Sequence, residues 1–299
     1  MIVPDRRAPG SGESDKAVSL DRQNFLRRTA STLVLAPLAI ASAFVGGWIF
    51  AAVCTFTAAL VLWEWATLVT GATDPRILAP GPPALCAAAV LAQLDAPGLA
   101  IAAIGLGGLG AAAATAGLPH GGRRSAAAVM WAVAGVVYAG VILISPIVLR
   151  RDPKLGFAAL AFLFATVWAN DIFAYLTGRR LGGPLLAPRL SPKKTWSGAV
   201  GGLAGGVVAG VLVAYASAGT HPVAAGILAL ILSIAAQGGD LLESSVKRRF
   251  GAKDTSTLIP GHGGVMDRVD GVLVAALVAV VIGGLRFGAA AAAEGLLLW

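Results

Sequence analysis

Apolar runs recur along most of the chain and are separated by short polar segments. Their lengths match the ~17–25 residues that a helix needs to cross a bilayer. The pattern predicts nine membrane spans, at residues 31–46, 48–69, 79–94, 97–117, 125–148, 155–177, 197–218, 222–246 and 269–290. The expected fold is therefore all-α, a polytopic integral membrane helical bundle of about nine transmembrane helices.

The polar segments divide the chain into three regions. Residues 1–29 are rich in Pro, Gly, Ser and charge, and are predicted to form a disordered cytoplasmic tail. Residues 30–154 hold the N-terminal transmembrane helices and offer few polar side chains. Residues 155–299 combine transmembrane helices with strongly charged loops, and form the predicted catalytic region.

Composition supports a membrane protein and indicates its orientation. Hydrophobic residues make up 57% of the chain and charged residues 13%, against about 25% charged in a soluble domain. The net charge is +8, but the bases lie in short loops, so we expect no nucleic-acid partner. With the N-terminus inside, 19 of the 23 lysines and arginines fall on the cytoplasmic side, Arg150 and Arg151 being the local exception. Both strongly charged loops are therefore expected at the cytoplasmic face, and the C-terminus outside.

The first candidate site lies at the end of the eighth span. Asp240, Glu243, Ser244 and Lys247 follow one another at helical spacing and share one face. Two carboxylates one turn apart can hold a divalent cation, and a lysine one turn further can meet a phosphate. The alternative for Glu243 is a buried ion pair with Lys247.

A glycine-rich segment follows, from Pro260 to Gly264, with His262 within it. Such a segment predicts a loop whose backbone amides approach phosphate oxygens beside a helix start. Asp267 and Asp270, three residues apart, begin the ninth span. Helix capping explains one of these acids but not the pair.

Two further groups precede this region. Asp171 lies inside the otherwise apolar sixth span, which marks it as a functional candidate, with a polar contact between helices as the alternative. Residues 191–195 place Ser191, Lys193, Lys194 and Thr195 beside a proline, where they could surround phosphates. A basic stop to the span with an interfacial Trp196 explains the same residues equally well.

The run Ser244-Ser-Val-Lys247-Arg248, then Lys253-Asp254, then residues 259–270 with His262-Gly263-Gly264 and Asp267-Arg268-Val269-Asp270, resembles the diagnostic motif of the phosphatidate cytidylyltransferases (CDP-diacylglycerol synthases). The segments around Asp171 and around 191–195 are also similar to that family, so the resemblance covers roughly residues 165–272. Two positions depart from the usual pattern: Gly271, often Ser, and Ser197, often Glu.

The resemblance implies a membrane-bound nucleotidyltransferase of phospholipid biosynthesis, which makes CDP-diacylglycerol and pyrophosphate from CTP and phosphatidate. It also implies Mg²⁺, a second, monovalent cation such as K⁺, an inner (plasma) membrane location among membrane lipids, and allows a homodimer. Combined with the spacings, it assigns Mg²⁺ to Asp240 and Asp267, and assigns Glu243 and Asp270 to the metal shell or to a second cation. Asp171 supports these ligands or binds a cation itself.

The remaining assignments concern the substrates. Lys247, Arg248 and Lys253 neutralise the triphosphate or the leaving pyrophosphate, and His262 orients a phosphate oxygen. The residues expected to contact the nucleotide or the lipid head group are Ser191, Lys193, Lys194, Thr195, Ser244, Gly263, Gly264 and Arg268. Asp240, Lys247, His262 and Asp267 form the predicted catalytic set.

Rival functions share some of these features. Buried carboxylates and glycine-broken helices also mark ion-coupled transporters. The acids here cluster at one face rather than at the midplane, and no inverted repeat is visible. A polyprenol kinase or an ether-lipid CDP-synthase is a closer alternative, and a structural membrane protein a more distant one.

Overall fold

The structure is a computed structural model that describes residues 33–116, 123–259 and 263–299. The predicted tail and His262 lie outside these residues. The helices are α1 Leu33–Val45, α2 Gly47–Thr70, α3 Pro75–Leu78, α4 Gly81–Gln93, α5 Pro97–Ala116, α6 Arg123–Arg150, α7 Gly156–Leu181, α8 Trp196–Ala218, α9 Pro222–Arg249, α10 Met266–Phe287 and α11 Ala292–Leu297. Two strands, β1 Leu185–Ala187 and β2 Ser191–Thr195, form an antiparallel hairpin between α7 and α8.

The predicted class of fold is confirmed. Eight helical segments of the described chain are long and apolar enough to cross a membrane: α2, α3 together with α4, and α5 to α10. The first of the nine predicted spans is represented by α1, whose described part is about 20 Å long, against the roughly 30 Å of a bilayer core. The structure therefore supports eight of the nine predicted spans, and the first one, at residues 31–46, stays a prediction.

Helix boundaries follow from local sequence. Pro97 and Pro222 begin α5 and α9, where a missing amide hydrogen costs nothing. Gly71 and Gly219 end α2 and α8 in the left-handed conformation that glycine adopts without strain. Between these boundaries the helices are mainly apolar, as membrane-embedded helices are.

Glycines bring α8 against α7. Gly198, Gly202 and Gly206 are spaced one turn apart on α8, and a methyl group on any of them would lie within 3.0 Å of a backbone oxygen of α7. Small residues allow this approach in membranes, where close van der Waals packing drives helix association. The contact holds α7, which carries Asp171, against α8, which directly follows the hairpin.

The two charged loops lie at the same end of the bundle, called here the charged end. Among the described residues it comprises the hairpin and residues 250–259 and 263–265. Arg248, at the end of α9, donates from Nε to the carbonyl oxygen of Leu190 in the hairpin, at 3.2 Å. The predicted grouping of these loops at one face is thereby confirmed.

The opposite end explains the misplaced arginines. Arg150 donates to the carbonyl oxygens of Ala43 and Phe44, which end α1, and Arg151 forms a 2.6 Å ion pair with Asp95. Cations that meet the carbonyl end of a helix or a carboxylate have local partners. Their position therefore depends on these contacts rather than on membrane orientation.

Candidate active site

Three carboxylates converge at the charged end. Asp240 and Glu243 of α9 and Asp270 of α10 each offer an oxygen, and these oxygens all lie within 4.8 Å of one another. The approach depends on Gly239, since a methyl group there would lie 2.6 Å from the carbonyl oxygen of Asp270. The two helices therefore come close enough to share one group of ligands, called here the carboxylate cluster.

Glu243 shows why the cluster suits a cation. It is 1% exposed, and its Oε2 accepts from Lys247 at 2.8 Å. Its Oε1 is buried and has no hydrogen-bond partner within the described chain. Leaving a buried carboxylate oxygen unpaired is costly. Hard oxygen ligands of this kind are those that Mg²⁺ prefers, so the residues present fit a divalent cation.

The predicted ion pair between Glu243 and Lys247 is present together with the cluster. The ion pair and the cation site are therefore compatible, because each uses a different carboxylate oxygen of Glu243. Oε2 takes the ion pair, and Oε1 is left for another partner.

Asp267 has a different environment from the one expected. Its Oδ1 lies 2.6 Å from Lys247 Nζ, and its Oδ2 accepts from the amides of Thr255 and Gly264 at 3.0 and 2.7 Å. The Thr255 hydroxyl donates to the same oxygen at 2.9 Å. Asp267 lies outside the carboxylate cluster, so the structure groups Asp240 with Asp270 rather than with Asp267. The Oδ2 atom of Asp267 instead accepts hydrogen bonds from the segment before α10.

The hairpin places one of the predicted lysines, Lys194, next to the carboxylate cluster. Lys194 forms an ion pair with Asp240 Oδ2, whereas Lys193 is exposed. Thr195 is the N-cap of α8, because its hydroxyl accepts from the Gly198 amide at 3.1 Å. The cap directs the chain from the hairpin into α8 and holds Lys194 beside the cluster.

Asp171 belongs to a polar network between helices. Its Oδ1 accepts from the side chain of Asn170 at 3.2 Å, and Asn170 Oδ1 accepts from Gln237 Nε2 at 2.8 Å. Gln237 also donates to the carbonyl oxygen of Ala199 in α8 at 3.0 Å. The predicted polar contact between helices is thus present, and the predicted cation role of Asp171 stays a prediction.

The other predicted residues differ in their surroundings. Arg248 is engaged with carbonyl oxygens of Leu190 and Ala252, and Ser244 is buried on α9. Lys253 and Arg268 are exposed at the charged end, and Ser191 begins β2. Gly263 adopts a φ of 80°, and its carbonyl oxygen accepts from the Ile259 amide at 2.8 Å, whereas the predicted His262 lies outside the described residues.

The sequence reasoning missed Glu64, which belongs to α2 in the N-terminal half. It is fully buried and accepts hydrogen bonds from residues of the loop before α10. An acid inside an apolar span is a functional candidate by default, so its position alone carried a signal. Gln237, Thr255 and Ser256 were also missed, because short polar residues in such positions have many ordinary roles.

The arrangement combines opposite charges at a membrane surface. Carboxylates suited to a divalent cation contact Lys194 and Lys247, and further bases, Lys193, Lys253 and Arg268, are exposed in the neighbouring segments of the chain. A cation held by the acids and nearby bases together suit a polyphosphate, whose negative charge both can neutralise. The site therefore fits chemistry on a phosphorylated substrate that reaches the membrane.

Comparison of the sequence with known proteins identifies the family of the chain. A profile of the cytidylyltransferase family matches residues 26–285. The chain is 46% identical over 153 residues to a phosphatidate cytidylyltransferase of Brucella abortus, covering 51% of this chain and 57% of that protein. It is 42% identical over 130 residues to the protein of that name from Haemophilus influenzae, covering 42% and 45%, and 36% identical over 127 residues to the one from Mycobacterium leprae, covering 42% and 41%.

The chain thus spans about half the length of the curated relatives it matches. The family profile covers most of the chain, including all of the carboxylate cluster. The chain is a membrane protein of the cytidylyltransferase family.

Proposed function

We propose that the chain transfers a cytidylyl group from CTP to phosphatidate, giving CDP-diacylglycerol and pyrophosphate for phospholipid synthesis. The observation that carries the proposal is the carboxylate cluster with its unpaired Glu243 oxygen, beside lysines at one end of a membrane bundle. The names of the relatives support the choice of substrates.

The reaction requires little acid–base chemistry from the protein. An oxygen of the phosphatidate phosphate attacks the α-phosphorus of CTP, and the bond from that phosphorus to the bridging oxygen of pyrophosphate breaks. A phosphate monoester has a second pKa near ~6, so the nucleophile is mostly dianionic at neutral pH. Catalysis then rests on alignment and on neutralising charge.

Asp240, Glu243 and Asp270 would hold Mg²⁺. When bound, the ion supplies charge neutralisation for the triphosphate oxygens. Lys194, released from Asp240, would pair with a phosphate, and the exposed Lys193 and Lys253 would attract the anionic substrates. The monovalent cation that the family resemblance implies stays a proposal, with Asp171 as its candidate ligand.

We further place the charged end at the cytoplasmic face of the bacterial plasma membrane, where CTP is present. The excess of lysine and arginine in its loops supports that orientation. A homodimer also stays a prediction.

The test is a transfer assay with purified protein in nanodiscs, Mg²⁺ and phosphatidate. CTP labelled at the α-phosphorus should give labelled lipid and unlabelled pyrophosphate. A polyprenol kinase would instead transfer the unlabelled γ-phosphoryl group to a polyprenol and leave the label in CDP, and an ether-lipid CDP-synthase would need an ether-linked acceptor. A transporter would give no labelled lipid and no pyrophosphate, which would refute the proposal.

A further inference from the structure

Glu64 of α2 receives four hydrogen bonds from one short stretch of the C-terminal half. Its Oε1 accepts from the Ser256 hydroxyl at 2.6 Å and from the Val265 amide at 2.9 Å. Its Oε2 accepts from the Met266 amide at 2.7 Å and from the Thr255 hydroxyl at 3.3 Å. The carboxylate is 0% exposed, so it has exchanged all contact with water for these donors.

The two amides belong to the start of α10. The first amides of a helix have no partner within the helix, and a negative charge beside them is favoured by the helix dipole. Residues preceding a helix usually supply such a cap. Here Val265 makes no side-chain cap, and the partner comes from a helix about 200 residues earlier in the chain. Glu64 therefore determines where α10 begins, and Asp270 of the carboxylate cluster follows one turn later.

A chain of polar contacts continues from Glu64 towards the cluster. The Thr255 hydroxyl lies between Glu64 and Asp267, at 3.3 and 2.9 Å. Asp267 binds Lys247 at 2.6 Å, and Lys247 binds Glu243 at 2.8 Å. These contacts link α2, the loop, α10 and α9 without a gap.

Gly264 shows how tightly the loop is held against α2. A methyl group at this position would lie 2.0 Å from the Thr255 hydroxyl and 2.5 Å from Glu64 Oε1. Gly264 belongs to the predicted phosphate-binding loop. Any side chain here would collide with Thr255 and Glu64, so the close packing against α2 requires glycine.

We propose that Glu64 is a positioning residue for the cation site: it fixes the start of α10 and thereby holds Asp270 and Glu243 in the geometry that binds a divalent cation. The N-terminal half, which carries no carboxylate of the cluster, thus acts on the site through a buried side chain of α2. The proposal rests on the proposed function only in that the cation serves cytidylyl transfer.

The test compares Glu64→Gln with Asp152→Asn. Glutamine keeps the size of the side chain, but its amide nitrogen cannot accept, so one pair of donors loses its partner. Asp152 is an apt control because it is also buried, at 6% exposed, and accepts two backbone amides just before α7 at the opposite end, at 2.8 and 2.7 Å. Both substitutions remove a buried carboxylate that binds amides at a helix start.

Two readouts separate positioning from general support. Binding of Mn²⁺, followed by electron paramagnetic resonance, should weaken about 10- to 100-fold in Glu64→Gln, the range seen when groups that orient metal ligands are replaced. Amide hydrogen exchange in the peptide covering residues 255–270 should speed up in the same variant. Asp152→Asn should lower thermal stability to a similar extent but change neither readout.

Unchanged Mn²⁺ affinity and unchanged exchange in a folded Glu64→Gln protein would overturn the inference. Should that variant fail to fold, Thr255→Val removes the hydroxyl between the two carboxylates and is expected to weaken Mn²⁺ binding several-fold. A Thr255→Val protein with wild-type affinity would then overturn it. If wild-type protein binds Mn²⁺ but forms no CDP-diacylglycerol, the proposed function fails and the role of Glu64 is still decided by these measurements.

Discussion

Lys194 and Asp240 form an ion pair across 46 positions of sequence, between the end of strand β2 and the body of a membrane helix. The lysine neutralises a carboxylate of the cluster and occupies one of its oxygens. A cation and a lysine therefore compete for the same carboxylate. Since a triphosphate would accept the displaced ammonium group, the pair can exchange partners when both cation and nucleotide bind.

This competition gives a prediction with opposite signs for two ligands. Lys194→Gln should bind Mn²⁺ in the absence of nucleotide several-fold more tightly, because Asp240 is freed. The same variant should raise the KM for CTP about 10-fold or more, because a phosphate partner is lost. Titrations of Mn²⁺ and of CTP measure the two effects. Lys193→Gln, at the exposed neighbour, should leave Mn²⁺ affinity unchanged, and weaker Mn²⁺ binding in Lys194→Gln would contradict the account.

Adjacent glycines on α9 provide a matched pair of substitutions. A methyl group at Gly239 would lie 2.6 Å from the carbonyl oxygen of Asp270, whereas a methyl group at Gly238 meets nothing within 4 Å. Gly239→Ala should push α10 away from α9 and separate Asp270 from Asp240. We expect lower thermal stability and at least a 10-fold loss of Mn²⁺ affinity.

Gly238→Ala should instead be neutral or stabilise the helix by about 0.5–1 kcal/mol, because alanine restricts the unfolded chain and favours helix. Thermal unfolding in detergent and Mn²⁺ titration compare the two proteins. Equal behaviour of the two variants would show that the α9–α10 approach does not shape the cluster.

Sequence patterns predicted most of the fold but only part of the site. The apolar runs set the spans because a bilayer imposes a nearly fixed helix length. Helical spacing placed Asp240, Glu243 and Lys247 on one face, and this needed no tertiary information. The grouping of Asp240 with Asp270 rather than Asp267 depends on which way α10 is rotated. That rotation follows from Glu64 and the loop, which local spacing does not reveal.

Membrane orientation is open to a direct measurement. If the charged end faces the cytoplasm, a cysteine introduced by Lys253→Cys should be protected in intact cells from a membrane-impermeant maleimide. One introduced by Asp95→Cys, at the opposite end, should react. Both positions are exposed, so access to reagent decides the result. A background with Cys54 and Cys86 replaced removes the natural thiols, and the reverse labelling pattern would invert the proposed topology.

The central claim is that Asp240, Glu243 and Asp270 share one divalent cation. It is tested most directly by counting bound Mn²⁺ in purified wild-type protein, in Asp270→Asn and in Asp95→Asn, which alters an acid at the opposite end. The account predicts stoichiometric binding by the wild type and Asp95→Asn, and at least about 100-fold weaker binding by Asp270→Asn. Equal affinity in all three proteins would contradict it.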